Sequence, residues 1–436
     1  MKLKKNQLIT SGGKTFRILD LLGAGGQGEV YLAECEGHKY AIKVYLDNPH
    51  PDFCYNLRNN IDKGSPSPSF LWPRSLIESP DCFGYVMDLR PQDYVSFVSY
   101  LTGKHKFRDQ STLLRWCIEL CLSFKRLHEQ GYSYQDLNDG SFFLNSDTGA
   151  LLICDNDNVT ADKKNLGILG KMRYMAPEIV RGDIDPRTKD RQMPDVHSDR
   201  FSLAVILFMA LCLGNPYEGE RLKGYPIVDE QAEYEMYGEK PIFIYHKTDT
   251  SNRPIRGYHA GVLRRWPLMP LYIKEAFHRT FVDGLSDREN ERTTELEWLR
   301  LLTRYRDELV SCGCGYQYAY GLSERATREE CPLCKAKNQG EYCTLTIGKN
   351  RILLEPGKKL YSPHLDKYAS CYNQEVGEVI RNKKNPALWG LRIKVDGDML
   401  IKDANGNEKT IAAGGVIPIV KGLKIKFNET TIGEIK

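Results

Sequence analysis

The spacing of apolar residues predicts short strands near both ends of the chain and helices in its middle. Residues 15–22 and 40–45 are short runs typical of strands. Residues 113–128 repeat their apolar positions every three or four residues, which predicts a helix with one buried face. Residues 201–213 form the longest apolar run, which is too short to span a bilayer and therefore predicts a buried helix.

Two short apolar runs near the centre, residues 142–144 and 151–154, are separated by a turn at residues 147–149. They predict a hairpin that brings Asp136, which precedes the first run, and Asp155, which follows the second, to the same end. Such a pair suits phosphoryl transfer, because one carboxylate can accept a hydroxyl proton while the other holds a magnesium ion. The alternative is a polar hairpin without chemistry.

A glycine motif follows the first predicted strand. Gly23, Gly25 and Gly28 have the spacing Gly-x-Gly-x-x-Gly and lead into a β-type run that contains Val30. A dinucleotide-binding turn requires an amphipathic helix at this point, and none begins here. The motif therefore indicates a glycine-rich hairpin, whose backbone can close over phosphates because no side chain intervenes.

Lys43 lies inside the apolar run of residues 40–45. Because a lysine is seldom buried without a partner, two interpretations are open. The first is an edge-strand residue that extends its amine to solvent, and the second is a phosphate ligand.

Beyond residue 345 the chain changes to short β-like runs separated by turn residues. Asn405-Gly406 between two such runs is a strong hairpin signal, and Lys421-Gly422 predicts a second hairpin between residues 416–420 and 423–427. A small β-sandwich or barrel of about 90 residues is expected here.

Composition narrows the class of protein. A chain of 436 residues predicts two or three domains, and its apolar content of 41% and charged content of 27% are ordinary for a globular protein. The net charge of +4 gives no electrostatic argument for nucleic acid or an anionic membrane surface as a partner. The N-terminal residues 1–16 lack the apolar core of a secretory signal, so we expect a cytoplasmic protein.

Four of the thirteen cysteines form two close pairs, Cys312-x-Cys314 and Cys331-x-x-Cys334. Four thiolates at this spacing predict a tetrahedral Zn²⁺ site, and a site closed by four cysteines is structural. Cys343 is a possible substitute ligand. The other nine cysteines are scattered singly along the chain, which indicates reduced thiols instead of a disulfide framework.

Taken in order, these motifs resemble a eukaryotic-type protein kinase over about residues 15–305. The chain has the glycine motif, a lysine in an Ala-Ile-Lys context, the two aspartates, an Ala-Pro-Glu element, an aspartate before the apolar helix and a late arginine. The residues concerned, beyond the glycines, are Lys43, Asp136, Asp155, Glu178, Asp199 and Arg292. In the family the arginine pairs with the glutamate of Ala-Pro-Glu.

The resemblance implies an α+β, two-lobed kinase fold and transfer of the γ-phosphate of ATP to Ser/Thr hydroxyls of protein substrates. It implies that Asp136 orients the acceptor hydroxyl and that Lys43 contacts the phosphates. Asp155 and Ser141 would hold Mg²⁺. The nucleotide would lie against the glycines and the predicted inter-lobe strand, at Gly23, Gly25, Gly28, Val30, Met87 and Leu89.

Several positions depart from the family pattern. Tyr134-Gln135 replaces the usual His-Arg before Asp136, and Ser141 replaces the usual metal-binding asparagine. Asp155-Asn156-Asp157 replaces Asp-Phe-Gly, which adds a possible oxygen donor. The expected regulatory helix, residues 52–62, contains no glutamate, and Asn56, Asn60 or Asp62 could face Lys43 instead. These changes leave a non-catalytic, nucleotide-binding pseudokinase scaffold as the alternative function.

We therefore expect a protein-kinase-like domain at residues 1–309, a zinc ribbon at 310–342 and a β-sandwich-like domain at 343–436. This order resembles the kinases of bacterial tellurite-resistance-linked phosphorylation systems. The resemblance implies a metal-dependent phosphatase and a von Willebrand-type protein as partners, and neither nucleic acid nor membrane.

Overall fold

The computed structural model describes residues 2–77, 79, 81–164, 170–321, 328–338, 341–394 and 396–436. The chain forms two compact units. Unit 1 comprises Met1–Lys106, Ser123–His259 and His278–Thr293, and unit 2 comprises Phe107–Leu122, Ala260–Phe277 and Thr294–Lys436.

Unit 1 begins with a six-stranded sheet in the order β1-β2-β3-β4-β6-β5. Its strands are β1 (Leu8–Ser11), β2 (Lys14–Ala24), β3 (Gly28–Cys35), β4 (His38–Tyr45), β5 (Ser75–Leu76) and β6 (Gly84–Asp88). The glycine motif lies at the tip of the β2–β3 hairpin, as its sequence predicts. A Cβ on Gly28 would lie 2.4 Å from the Val44 carbonyl oxygen, so the close β3–β4 contact requires glycine there.

Helix α1 (Pro51–Lys63) covers the region where the sequence predicts the regulatory helix. Its start is set by His50, whose side chain accepts a hydrogen bond from the Asp52 N–H, and by a proline in its first turn. It ends at Gly64, whose φ of 81° is accessible to glycine at little cost.

The strands that follow Asp136 and precede Asp155 belong to a small sheet. The order is β10-β9-β7, with β7 (Val95–Ser96), β9 (Phe142–Leu144) and β10 (Leu151–Ile153). Strands β9 and β10 are antiparallel, with Phe142 opposite Ile153, which confirms the predicted central hairpin. A separate pair joins β8 (Tyr132–Ser133) to β11 (Thr160–Ala161).

The helices between residues 97 and 307 include the two that the apolar pattern predicts, α3 and α5. They are α2 (Phe97–Leu101), α3 (Gln110–Glu129), α4 (Pro177–Arg181), α5 (Val196–Cys212), α6 (Glu230–Glu233), α7 (Ala260–Arg265), α8 (Leu271–Phe281) and α9 (Glu295–Asp307). A π-helical turn at Tyr234–Glu239 follows α6, and 3₁₀ turns occupy Asp139–Ser141, Asn156–Asn158, Glu220–Gly224, Trp266–Leu268 and Asp283–Leu285. Every residue of α5 from Phe201 onward is buried.

A buried ion pair ties the Ala-Pro-Glu segment to the rest of unit 1. Arg292 donates from Nη1 and Nη2 to the two oxygens of Glu178, at 2.8 and 2.7 Å. This bidentate geometry confirms the pairing that the family resemblance implies.

Unit 2 contains a short hairpin of β12 (Leu309–Ser311) and β13 (Gln317–Ala319), followed by two β-sheets. One sheet has the order β15-β14-β23-β22-β19-β20 and the other β16-β17-β18-β21. Apolar residues from both sheets form one core, which is the arrangement of a sandwich. The strands are β14 (Thr344–Ile347), β15 (Asn350–Leu353), β16 (Lys359–Tyr361), β17 (Glu375–Arg381), β18 (Trp389–Ile393), β19 (Met399–Lys402), β20 (Glu408–Ile411), β21 (Val416–Pro418), β22 (Lys424–Lys426) and β23 (Ile432–Ile435), and helix α10 (Ser362–Leu365) follows β16.

The Asn405-Gly406 hairpin is present as β19 and β20, but the hairpin predicted across Lys421-Gly422 is wrong. Strand β21 pairs with β18, whereas β22 pairs with β19 and β23, so the turn carries the chain from one sheet to the other. The local sequence signals a turn but does not determine which strand becomes the partner. Among the helices in the described part of the chain, none combines the length and apolarity needed to cross a membrane.

Candidate functional site

The central hairpin places Asp136 and Asp155 at the same end of β9 and β10. Asp136 lies in the loop before β9, where the N–H groups of Tyr134 and Gln135 donate to the buried Asp199 carboxylate at 2.6 and 3.1 Å. Gln135 has a φ of 72°, and these two hydrogen bonds hold this uncommon loop conformation.

Asp136 is half-buried, and Asn138 donates to its Oδ1 at 3.1 Å. Burial raises the pKa of the Asp136 carboxyl above its ordinary value, and the charge of Asp155 raises it further. A raised pKa makes this carboxylate a better proton acceptor, which suits the role that the sequence predicts for it.

Asp155 adopts the left-handed conformation, with φ 56° and ψ 39°. Aspartate tolerates this region better than most residues, and here it turns the chain sharply after β10. The Asp155 side chain is 49% exposed and lies 3.8 Å from Lys43 Nζ. Although about half of the side chain is exposed, partial burial raises the pKa of the Asp155 carboxyl, and Lys43 opposes the shift.

Lys43 is buried on β4 and pairs with Asp157, at 2.6 Å between Nζ and Oδ2. Asp157 has no exposed surface, and Tyr45, two residues beyond Lys43, donates its hydroxyl to the same carboxylate. Burial would raise the pKa of Asp157, but Lys43 and Tyr45 hold it below the ordinary value. Burial likewise opposes the charge on Lys43, yet Asp157 and Asp155 raise its pKa overall. The pair is therefore ionised.

The expectation that a residue of the regulatory helix faces Lys43 is not met. Asn56 and Asn60 of α1 each donate from Nδ2 to the Val159 carbonyl oxygen at 2.8 Å, and Asp62 is exposed. The carboxylate that Lys43 needs comes from Asp157 instead. The signal in the sequence was the extra aspartate where the family has a glycine.

The predicted nucleotide-binding residues of the glycine hairpin, β3 and β6 lie on the first sheet or directly beside the ends of its strands. Val30 is opposite Lys43 in the β3–β4 register, and Met87 is opposite Ala41 in the β4–β6 register. Leu89 follows the end of β6. At the hairpin tip, the Gly25 N–H donates to the Gly28 carbonyl oxygen at 2.8 Å, while a Cβ at Gly23 would meet nothing within 4 Å.

The oxygen atoms near Asp155 are suitable ligands for a hard cation. The Ser141 carbonyl oxygen accepts from the Cys154 N–H at 2.9 Å, which holds Ser141 beside the residue that precedes Asp155. Ser141 Oγ and Asp157 Oδ1 are buried oxygens without a hydrogen-bond partner among the described residues. Oxygen ligands of this kind, together with the Asp155 carboxylate, are those Mg²⁺ prefers.

The Sγ atoms of Cys312, Cys314, Cys331 and Cys334 all lie within 4.8 Å of one another. The Cys312–Cys334 and Cys314–Cys331 sulfur distances are 3.5 and 3.8 Å. Tetrahedral Zn²⁺ with Zn–S bonds of about 2.3 Å requires sulfurs about 3.8 Å apart, so the cluster fits this metal. Cys343 lies outside the cluster.

Two similar turns build the cluster. In the first, the Cys312 N–H donates to the Tyr316 carbonyl oxygen and the Gly315 N–H donates to the Cys312 carbonyl oxygen, both at 2.9 Å. In the second, the Cys331 N–H donates to Ala336 at 2.9 Å and the Lys335 N–H donates to Cys331 at 3.0 Å. Gly315 and Lys335, with φ of 85° and 62°, occupy matching positions.

The sequence profile described as "Protein kinase domain" matches residues 16–254, more than half of the chain. Protein kinase YegI of Escherichia coli is 25% identical over 79% of this chain and 52% of its own length. The protein kinase C eye isozyme of Drosophila melanogaster is 24% identical over 47% of this chain and 29% of its own. A putative ribosomal protein S6 kinase alpha-1 of Caenorhabditis elegans is 25% identical over 47% and 26%.

The chain spans about half or less of the length of these curated relatives. The matched range of residues 16–254, however, contains the glycine hairpin, Lys43, Asp136, Asp155 and Glu178. The chain belongs to the protein kinase family.

Proposed function

We propose that this protein is an active, ATP-dependent Ser/Thr protein kinase. The proposal is supported by the position of Lys43, which lies 3.8 Å from Asp155 and pairs with the buried carboxylate of Asp157. Asp155 in turn lies close enough to Asp136 for its charge to act on it. Positioning and electrostatic stabilisation account for most of phosphoryl-transfer catalysis, and this arrangement supplies both.

Each residue of the proposed site has a separate role in binding or catalysis. The backbone of Gly23, Gly25 and Gly28 covers the phosphates, and Val30, Met87 and Leu89 line the nucleotide. Lys43 binds the phosphates, and Asp136 orients the acceptor hydroxyl and takes its proton. Asp155 and Ser141 would hold Mg²⁺, and Asp157 Oδ1 is a further oxygen without a hydrogen-bond partner among the described residues. The metal neutralises charge on the phosphates when bound.

The pseudokinase alternative loses its main support. It rested on the missing helix glutamate and on Ser141 in place of asparagine. Asp157 supplies a carboxylate to Lys43, and Ser141 remains an oxygen donor. Both departures therefore preserve the chemical groups that turnover needs.

The test is transfer of ³²P from γ-labelled ATP to a Ser- and Thr-rich protein acceptor. Asp136→Asn should lower incorporation by at least about 100-fold, since it removes the proton acceptor while keeping the shape. Asp147→Asn is the matched control, because Asp147 is exposed at the far turn of the same hairpin. Equal incorporation by wild type and Asp136→Asn would contradict the proposal.

We further propose the division into a kinase domain at residues 1–309, a Zn²⁺ ribbon at 310–342 and a β-sandwich domain at 343–436. The cysteine geometry and the two-sheet core support it. The order of domains resembles that in tellurite-resistance-linked phosphorylation systems. A metal-dependent phosphatase and a von Willebrand-type protein are accordingly the partners to test, by affinity capture from cells that express this chain.

A further inference from the structure

The region around Lys43, Asp136 and Asp155, here called the catalytic cleft, is rich in negative charge. The charge of Asp155 acts on Asp136, and the charge of Asp157 acts on Asp155. Lys43 is held by Asp157 at 2.6 Å. A transferring phosphoryl group brings further negative charge, spread over three oxygens, so a cation on the acceptor side of the cleft would stabilise the transition state.

Lys171 occupies that side. Its Nζ donates to Asn138 Oδ1 at 3.1 Å, and the Asn138 Nδ2 donates in turn to Asp136 Oδ1 at 3.1 Å. The backbone N–H of Lys171 also faces the Asp136 carboxylate. The charge of Lys171 lowers the pKa of both Asp136 and Asp155, in opposition to burial, which dominates at each carboxyl. The ammonium thus lies near both aspartates.

The backbone around Lys171 is fixed in this place. A Cβ on Gly170 would lie 3.4 Å from the Gln135 carbonyl oxygen and 3.0 Å from the Met175 side chain, so the chain passes close against the catalytic loop. The Lys171 carbonyl oxygen accepts from the Tyr174 N–H at 2.9 Å. Beyond it, Arg173 Nη2 donates to Glu218 at 3.0 Å. The Lys171 side chain itself is exposed, which leaves its end accessible to a substrate.

We propose that Lys171 is a catalytic residue whose ammonium group donates to a non-bridging oxygen of the transferring γ-phosphoryl group. The proposal rests on the kinase function proposed above. In the transfer, the acceptor hydroxyl oxygen forms a bond to the γ-phosphorus, and the bond between that phosphorus and the β–γ bridging oxygen breaks. Its electron pair leaves with ADP, and the hydroxyl proton goes to Asp136. Lys171 transfers no proton, and its hydrogen bond moves from Asn138 to the phosphoryl oxygen.

A purely structural role is the competing explanation, in which Lys171 tethers its segment to Asn138 by a hydrogen bond. The two roles differ in what they require. A tether needs a donor of suitable length, which Gln supplies, whereas stabilisation of phosphoryl charge needs a positive charge, which Arg supplies.

The experiment measures kcat and KM for ATP in the full chain for wild type, Lys171→Met, Lys171→Gln and Lys171→Arg. We expect Lys171→Met and Lys171→Gln each to lower kcat by about 100-fold with KM for ATP changed by less than about threefold. Lys171→Arg should retain at least about a tenth of kcat. Lys163→Met, at an exposed lysine of the same segment, is the control. Thermal melting of each variant identifies any that fails to fold.

The outcomes separate the two proposals. An inactive wild type would contradict the kinase function and this role together. An active wild type with Lys171→Gln as active as Lys171→Arg would contradict the catalytic role alone and establish the tether. A higher KM for ATP with kcat unchanged would also overturn the catalytic role. It would show that the charge of Lys171 stabilises the bound nucleotide in the ground state and not the transferring group.

Discussion

At the scale of single residues, the most consequential feature is the ion pair between Lys43 and Asp157. Removing one member of a buried pair leaves the other charge uncompensated, and such losses cost about 3–5 kcal/mol. The hydroxyl of Tyr45 adds a second donor to Asp157, and a hydrogen bond of this kind contributes about 1–2 kcal/mol. The Asp157 carboxylate therefore contributes more to the stability of the fold than the Tyr45 hydroxyl does.

Replacing Asp157 tests this ranking. We expect Asp157→Ala to lower the free energy of unfolding by about 3 kcal/mol and Tyr45→Phe by about 1 kcal/mol, measured by urea unfolding without nucleotide. Lys43→Met combined with Asp157→Ala should cost less than the sum of the two single changes, because no unpaired charge remains. Strict additivity of the two would show that the pair is not coupled.

The pH dependence of the stability lost in Asp157→Ala follows from the direction of the pKa shifts of Asp157 and Lys43. The pKa of Asp157 is lowered on folding, so its contribution is complete above the unfolded pKa of about 3.9 and is lost as pH falls through the folded value. The pKa of Lys43 is raised, so its contribution is complete below about 10.4 and is lost above that. The stability difference between wild type and Asp157→Ala should be constant from about pH 5 to 9 and shrink at lower pH.

At the scale of elements, helix α1 is joined to the aspartate segment by amides. Asn56 and Asn60 both donate to the Val159 carbonyl oxygen, two residues beyond Asp157. Asn60 is 1% exposed, and its own carbonyl oxygen accepts from Trp72 Nε1 at 2.9 Å. In this protein the helix positions the segment that positions Lys43, so its influence on the lysine is indirect.

This connection predicts a graded effect. Asn60→Ala should destabilise unit 1 by about 1–2 kcal/mol and speed hydrogen exchange in residues 155–161, since it leaves a buried carbonyl with a single donor. Asn56→Ala should have a smaller effect, because Asn56 is less buried. Asn59→Ala, on the same helix, is the control. If exchange in residues 155–161 is unchanged in Asn60→Ala, the helix does not hold this segment.

Several hairpins and helices could be predicted from the sequence, whereas contacts between distant segments could not. Local signals were sufficient for the glycine hairpin, the β9–β10 hairpin and the buried helix α5, because spacing and turn residues determine each of them. The partner of Lys43 was missed, since 114 residues separate it from Asp157 and no local pattern joins them. The hydrogen bond from Lys171 to Asn138 was missed for the same reason, since the two residues are 33 positions apart in the chain. The turn at Lys421-Gly422 was recognised, but the choice of sheet for β21 and β22 depends on packing across the core.

At the scale of the whole molecule, each compact unit has its own means of stabilisation. Unit 1 contains the cleft, the Glu178–Arg292 pair and the wholly buried end of α5. Unit 2 contains the sandwich core and the four cysteines. The small apolar cluster beside the cysteines includes Val310, Tyr318, Cys331 and Leu353. A cluster of that size gives little stability alone, which is the situation in which small motifs depend on a metal.

Metal removal tests that dependence. Elemental analysis should find one Zn²⁺ per chain, and Cys331→Ser should lose it, because binding to four thiolates is coupled to local folding. Limited proteolysis of that variant should cut between residues 312 and 334 while the residues of unit 1 stay resistant and ATP binding persists. Cys343→Ser is the matched control, since Cys343 follows these cysteines closely in sequence but lies outside their cluster, and it should retain the metal. Protein purified without chelator that contains no metal, yet resists cleavage in this segment, would show that packing alone holds residues 312–334 together.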